Sequence, residues 1–336
     1  MGYIKLNQKA FFHNLDYFSK VCGSKDKIAI ALKDNAYGHG IEEVAFMASK
    51  YGIKHIFVRD LTEANIAKKF GFETILVLYD IPSEKEDDSF IISINSLNFI
   101  KQIPAGSKCE FKIDTGMNRN GIYKEEIEEA CKLIKEQKLI LNGIFTHFCC
   151  SDESNNITKE QEEIFQLAIK ETKKYIDYNF RVHCSNSTGV FKVDMNLYDI
   201  VRVGIGIYGY LDTKEEKYLQ PVLSLHAQKL ATKYIKKNNH IGYGSDSFIT
   251  TRDMVVSNYN IGYGDGLFRA NSNKQRKIAN GLEILGRVSM DSFSVESNEE
   301  EVCVFDDVTH LSQVHNTIKY EILTNLKPSI KRFIIE

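Results

Sequence analysis

Ile28-Ala29-Ile30-Ala31-Leu32-Lys33-Asp34-Asn35-Ala36-Tyr37-Gly38-His39-Gly40 is the stretch from which the fold can be read. Its first five residues are a continuous apolar run, the pattern of a strand buried on both faces. A lysine follows directly, then a turn rich in glycine, then a helical apolar period from Ile41 to Tyr51. Strand, turn and helix in that order are the repeating unit of parallel α/β folds. Burying an unpaired ammonium at the inner end of such a strand is costly. The same surroundings lower an amine's pKa and make it a nucleophile toward carbonyls. The plain alternative is a lysine that snorkels out at a strand end.

The unit recurs along the chain. Strand patterns fall at Ile28–Leu32, His55–Arg59, Thr74–Tyr79, Phe90–Ile94, Cys109–Ile113, Leu141–Phe148, Arg181–Cys184 and Ile200–Tyr208. Helical periods lie between most of them, clearest at Leu61–Phe70, Lys124–Glu136 and Lys159–Tyr178. Eight strands in this alternation predict an α/β fold, a (β/α)8 barrel. Beyond about Leu211 the texture changes to alternating segments at Leu223–Tyr234, Met254–Ile261, Leu282–Val288, Ser292–Val295 and Val302–Phe305, with one helical pattern at His315–Leu326. The expectation is a barrel domain over residues 1–213 and a predominantly β domain over 214–336, with the first few residues pairing with the latter. The polar, short junction at Thr213–Lys217 predicts packed domains.

Composition sets limits. The 336 residues are 43% hydrophobic and 26% charged, with a net charge of -2, which gives no basic patch for nucleic acid or an acidic membrane. No apolar run approaches membrane-spanning length, and no basic segment with an apolar run follows the N-terminus. The seven cysteines are odd in number and lack a Cys-x-x-Cys pair. That pattern predicts reduced thiols in a cytoplasm, with neither a disulfide framework nor a metal site. Cys149-Cys150 is either a redox pair or two small buried residues, and the second is the more ordinary reading.

In a barrel, chemistry sits at the C-terminal ends of the strands. Lys33 ends the first, Asp114-Thr115-Gly116-Met117-Asn118-Arg119 follows the fifth, and Thr146-His147 closes the sixth. His183-Cys184-Ser185-Asn186-Ser187 closes the seventh, and Arg202 with Gly204-Ile205-Gly206 marks the eighth. Any one of these could be a satisfied core polar group; five strand ends agreeing argue for a site. Gly204-Ile205-Gly206-Ile207-Tyr208-Gly209 matches G-x-G-x-x-G, but no helix pattern or ribose-binding acid follows, so it is not a dinucleotide fingerprint. Its glycines still allow backbone N–H groups to approach a phosphate. A reactive lysine with a phosphate cradle implies pyridoxal phosphate held as a Schiff base.

At this point the chain resembles the alanine racemase family across essentially its whole length. The motifs are Lys33-Asp34-Asn35-Ala36-Tyr37-Gly38-His39-Gly40, Lys112 to Arg119, Gly143 to Phe148, His183 to Ser187, and Val201 to Ile205. Gly242-Tyr243-Gly244, Gly262-Tyr263-Gly264-Asp265-Gly266 and Gly286-Arg287-Val288-Ser289-Met290-Asp291 continue the likeness into the second half. The resemblance implies pyridoxal 5'-phosphate as cofactor and interconversion of L- and D-alanine, supplying D-alanine for peptidoglycan. It implies Lys33 as cofactor-bearing lysine and base on one face of the substrate Cα, and Tyr243 as the opposite base. In the family that tyrosine comes from the partner subunit, so a homodimer with composite sites is implied. Tyr37, Ser187, Gly204 and Ile205 resemble the phosphate ligands, with Asn186 beside them. Arg202 resembles the partner of the pyridine nitrogen and His183 the residue that bonds Arg202. His147 resembles the residue packed on the ring, and Arg119 the contact to the ring's phenolic oxygen and the substrate carboxylate. Lys112 matches a lysine carbamylated in some members. Met290 matches a pocket position, Tyr263 and Asp291 positions near the substrate entrance, and Arg269 the approach path. A free tyrosine has a pKa of about 10, so Tyr243 needs help to act as a base, and His147 and Arg202 are the expected helpers.

The sequence departs from the family at Asp34 (commonly Ala), Arg59-Asp60 (more apolar), Asn118 (commonly Gly) and Pro328 (a tyrosine in some members). Three rival readings stay open: a racemase for serine or another small amino acid, a pyridoxal-phosphate decarboxylase, and a non-catalytic protein that binds the cofactor. The Arg202 and Tyr243 motifs speak against the second, and the presence of a second domain against the third.

Overall fold

The structure, a computed structural model, describes residues 2–245, 247–270 and 275–336. The chain forms two compact units, one of residues 11–36 and 44–220, the other of residues 1–10, 37–43 and 221–336. The chain passes between the two units at 10/11, 36/37, 43/44 and 220/221, so the lysine-bearing stretch changes unit between Ala36 and Tyr37.

The first unit holds eight parallel strands. In chain order, after β1 (Tyr3–Asn7) of the other unit, they are β2 (Ile28–Ala31), β3 (His55–Val58), β4 (Thr74–Val77), β5 (Phe90–Ile94), β6 (Lys108–Lys112), β7 (Ile140–Phe145), β8 (Arg181–His183) and β9 (Val201–Val203). The hydrogen-bonded order is β8-β7-β6-β5-β4-β3-β2-β9. Two backbone bonds span the remaining gap, Asp199 N–H to Val182 O at 2.9 Å and Arg202 N–H to Ser185 O at 3.0 Å. The result is a nearly closed barrel. Ile28, Ile30, Val58, Ile75, Val77, Ile91, Phe111, Ile144, Val201 and Val203 are fully buried, each worth about 1.5–3 kcal/mol relative to exposure. Helices Leu61–Lys68, Ile127–Glu136 and Ile157–Thr172 alternate with the strands, and Gln8–Cys22 precedes them. The eighth strand is shorter than Ile200–Tyr208, because Gly204 turns the chain into a 3-10 turn at Ile205–Tyr208.

The second unit is built on β10 (Leu223–Ile235), which pairs antiparallel with β1, β13 (Met254–Tyr259) and β15 (Glu301–Phe305). β11 (His240–Ile241) and β12 (Phe248–Ile249) form a small hairpin, β14 (Phe293–Val295) pairs with β13, and β16 (Lys331–Ile335) pairs in parallel with β1. β1 is thus a strand of the second unit's sheet. Leu282–Val288 makes isolated bridges rather than a strand. The expected helix at His315–Leu326 is instead two short ones, Thr309–His315 and Lys319–Thr324. Asn316 lies between them in a left-handed conformation that ends the first. Gly38 is needed where it stands: its φ is +78°, and a Cβ there would lie 2.0 Å from Leu323 O.

Candidate active site

β2 ends at Ala31, and Lys33 opens a turn in which Asp34, Asn35, Ala36 and Tyr37 all have φ between 50° and 54°. A left-handed backbone costs L-residues about 1–2 kcal/mol each, so the turn needs outside support. Glu63, on the first turn of helix Leu61–Lys68, supplies it. Its carboxylate accepts from Asn35 N–H and from Arg59 N–H, each at 2.9 Å, tying the exits of β2 and β3. Asp60 caps the same helix by accepting from Glu63 N–H. The Lys33 amine is not shut into an apolar interior as its strand-end position suggests. Its side chain is 30% exposed and donates to Asp34 Oδ2 at 2.8 Å, and Asp34 Oδ1 in turn accepts from Arg59 at 3.2 Å.

Beneath the strand ends lies a charged chain that sequence reasoning missed. Glu110 on β6 is fully buried and accepts from Arg181 Nε, from Asn142 at 3.1 Å and from His183 Nε2 at 2.9 Å. Arg202 donates to His183 Nδ1 at 2.6 Å. That bond fixes the imidazole as the neutral Nε2–H tautomer. Burial pushes His183 down to about 3, against the pull of Glu110. Burial alone would raise Glu110, but Arg181 and His183 hold it well below the ordinary carboxylate range. Arg181 also donates to Thr74 on β4 at 2.9 Å. β4 and β8 are not neighbours in the sheet, so this bond crosses the barrel interior. Arg202 is 4% exposed, lies 5.0 Å from the Phe145 ring centroid, and donates to the carbonyls of Thr146 and Cys184. Burial lowers it to about 10, so it stays a cation at neutral pH.

His147 gathers the rest of the set. Burial first, then the positive charges of Arg202, Arg119, Lys112 and Lys33, push it down to about 3, so the imidazole is neutral; Arg202 Nη2 lies 3.5 Å from its Nδ1. Lys112 is buried and donates to Asn120; burial, Arg119 and Arg202 lower it to about 8. Asp114 fixes the loop that carries Arg119, accepting from Gly116, Asn118 and Arg119 N–H groups. Ser187 Oγ accepts from Gly204 N–H at 2.8 Å and Gly206 N–H at 3.3 Å. Asn186 Oδ1 accepts from Gly189 N–H at 2.8 Å. Lys33, Lys112, Arg119, His147, His183, Asn186, Ser187, Arg202, Gly204 and Ile205 therefore all belong to the barrel unit and to its strand exits.

The other expected residues lie in the second unit. Tyr37 packs there against Tyr320, with ring centroids 5.6 Å apart. The Arg269 guanidinium lies over the rings of both Tyr243 (5.4 Å) and Tyr263 (5.8 Å) and donates to Val288 O at 2.8 Å. Gly264 N–H donates to Met290 O at 2.8 Å, and Gly262 permits this closeness, since a Cβ there would lie 2.1 Å from that oxygen. Asp291 follows Met290 in the same loop. Tyr243 is 60% and Met290 55% exposed. Within its own unit, among the described residues, Arg269 places a cation over the Tyr243 ring.

Residues 6–212 match the family model for the alanine racemase N-terminal domain, and 222–334 that for the alanine racemase C-terminal domain. The alanine racemase of a Nitratiruptor species is 42% identical over 343 residues, and that of a strain of Campylobacter jejuni subsp. jejuni 40% over 335, each match covering all of both chains. Among solved structures, alanine racemase from Bartonella henselae with covalently bound pyridoxal phosphate aligns with TM-score 0.84 at 26% identity, covering 100% of this chain and 99% of that one. Alanine racemase from Bacillus anthracis with bound L-Ala-P aligns with TM-score 0.88 at 25% identity, covering 100% and 95%. Barrel, β unit and strand-end lysine together define a pyridoxal-phosphate-dependent racemase. The chain belongs to the alanine racemase family.

The side chains present suit that cofactor. Lys33 offers a partly open amine to an aldehyde. Arg202 is a buried cation whose hydrogen bonds all go to neutral groups. The N–H groups of Gly204 and Gly206 converge on one oxygen, as an anion cradle requires.

Proposed function

We propose that this chain interconverts L- and D-alanine, with Lys33 and Tyr243 as the two bases. The observation that carries the proposal is that Lys33, His147, the Arg202–His183 pair and the Ser187–Gly204–Gly206 cradle all stand at the exits of parallel strands of one barrel. When bound, pyridoxal phosphate supplies an aldehyde for an amine and a ring that withdraws electrons from the substrate Cα. Lys33 would hold it and then take or return a proton on one face of Cα. Tyr243 Oη would serve the other face, since racemisation needs removal on one side and delivery on the other. Ser187, Gly204, Ile205 and Asn186, with Tyr37, would bind the phosphate. Arg202 would donate to the ring nitrogen and keep its proton, while His183 and Glu110 hold it in place. His147, neutral, would lie against the ring. Arg119 would take the substrate carboxylate, and Lys112, held down near about 8, has the free amine fraction that carbamylation requires. Met290 would bound the pocket for a small side chain, and Tyr263, Arg269 and Asp291 its approach.

The assembly we propose is a homodimer in which Tyr243 reaches the partner's Lys33, and the compartment a cytoplasm, in keeping with seven unpaired thiols. The direct test is conversion of pure L-alanine by the cofactor-loaded protein, resolved by chiral separation, with Lys33→Ala as control. No D-alanine from the wild type would refute the activity. Mixing Lys33→Ala with Tyr243→Phe chains under subunit exchange tests the assembly. Composite sites would restore roughly a quarter of wild-type rate through hybrid dimers, and sites made within one chain would restore none.

A further inference from the structure

Cys149 and Cys150 stand where the chain leaves β7, two residues past His147 and directly before Ser151. Their Sγ atoms lie 3.2 Å apart. Both are partly exposed, whereas Cys22, Cys109, Cys131 and Cys184 are buried. On one side, Gln161 Oε1 accepts from Cys149 N–H at 3.0 Å, and Gln161 Nε2 donates to Thr115 Oγ1 and to His147 O. On the other side, Ser151, 2% exposed, donates to Asn186 Oδ1 at 2.8 Å and pairs with Thr188 Oγ1 at 2.6 Å. The two thiols therefore sit on a short bridge between the strand end carrying His147 and the loop carrying Asn186 and Ser187.

We propose that Cys149 and Cys150 are a redox site that closes to a disulfide between neighbouring residues and thereby weakens cofactor binding. The coupling to the cofactor rests on the site assignment above; the closure does not. The oxidant is a small disulfide such as oxidised glutathione. The Cys149 sulfur attacks one sulfur of the reagent, whose S–S bond breaks, and the departing thiolate takes a proton. Cys150 then gives up its proton and attacks Cys149 Sγ, expelling the second thiol. Two protein thiols and one small disulfide become one protein disulfide and two small thiols. Adjacent Cα atoms are only about 3.8 Å apart across a trans peptide, below the ~4.4 Å minimum usual for disulfides. Such a bond is strained and readily reduced, the behaviour of a switch rather than a staple. Closing it must bend the Cys149–Cys150 backbone, which disturbs the Gln161 bond and the Ser151–Asn186 bond together.

The test uses the full-length, cofactor-loaded protein in oxidised glutathione, then denaturing alkylation and mass analysis of the peptide Leu139–Lys159, which contains no other cysteine. The expected peptide is two hydrogens lighter and unalkylated, and Cys150→Ser should stop at the mixed disulfide on Cys149. Cofactor affinity should fall about tenfold on oxidation, the scale of one or two lost hydrogen bonds. Dithiothreitol should restore it, and the Cys149→Ser/Cys150→Ser double variant should show no change. Two alkylated thiols in the oxidised wild type, or a closed disulfide with unchanged cofactor affinity, overturns the proposal. A protein that closes the disulfide but binds no pyridoxal phosphate would refute the site assignment instead.

Discussion

Replacing Glu110 with glutamine should cost the barrel much of its stability while hardly changing its shape. Glu110 is fully buried and, among the described residues, is the one carboxylate that Arg181 and His183 both bond; Arg202 is linked to it through His183. The amide keeps one acceptor but turns a donor toward Arg181 or His183, leaving a buried cation without its anion. Removing one member of such a pair costs about 3–5 kcal/mol, a fall in Tm on the order of 10 °C for a chain of this size. The measurement is urea unfolding at neutral pH of wild type, Glu110→Gln, Arg181→Met and the double variant. The double variant should lose less than the sum of the two, because Met removes the stranded charge, and the coupling should exceed about 1 kcal/mol. A loss below about 1 kcal/mol for Glu110→Gln, or strict additivity, would show that water or relaxation satisfies these groups and would refute the chain as the anchor of Arg202.

Two further predictions concern protons. His147 and His183 are held down to about 3 in the native state, against about 6.5 when unfolded. The unfolded chain therefore binds more protons below about pH 6.5, and stability must fall as pH falls through that window toward about 3. Two such histidines give roughly 2 kcal/mol lost between about pH 6 and 5, readable as a shift in the urea midpoint; a midpoint flat across that step would contradict it. Glu110, held below its ordinary range, adds to the loss only under more acid conditions. Tyr243→Phe should slow removal of the Cα proton from L-alanine far more than from D-alanine, seen by deuterium exchange of each enantiomer. Equal slowing would remove Tyr243 from its assigned face.

The barrel was legible because parallel strands buried on both faces read as unbroken apolar runs, as Ile28–Leu32 does. Lys33, Arg202 and His183 were legible as polar residues at the ends of such runs. Glu110 was not. In Lys108-Cys109-Glu110-Phe111-Lys112 the charges alternate with apolar residues, which ordinarily reads as a strand with one wet face. Cys109 and Phe111 are buried as well as Glu110 and Lys112, so here the polar face is the inner one. The signal available was Arg181 and His183, spaced by two in another strand, as matching partners. The left-handed turn was hidden for another reason. Its glycines, Gly38 and Gly40, follow it, and the residues that adopt the costly backbone are Asp34, Asn35, Ala36 and Tyr37. The helix break at Asn316 was a local conformation that apolar periodicity cannot register.

That turn bears on how the protein could be bred for heat resistance. Glycine at Ala36 would relieve one left-handed residue, a net gain below about 1 kcal/mol once the extra entropy that glycine loses on folding is counted. The same change would loosen the backbone that aims Lys33. A selection for survival at high temperature would therefore collect substitutions at positions 34–36 that make the protein hardier and the amine worse placed. A selection for turnover would discard them, so the two pressures would pull this one turn in opposite directions.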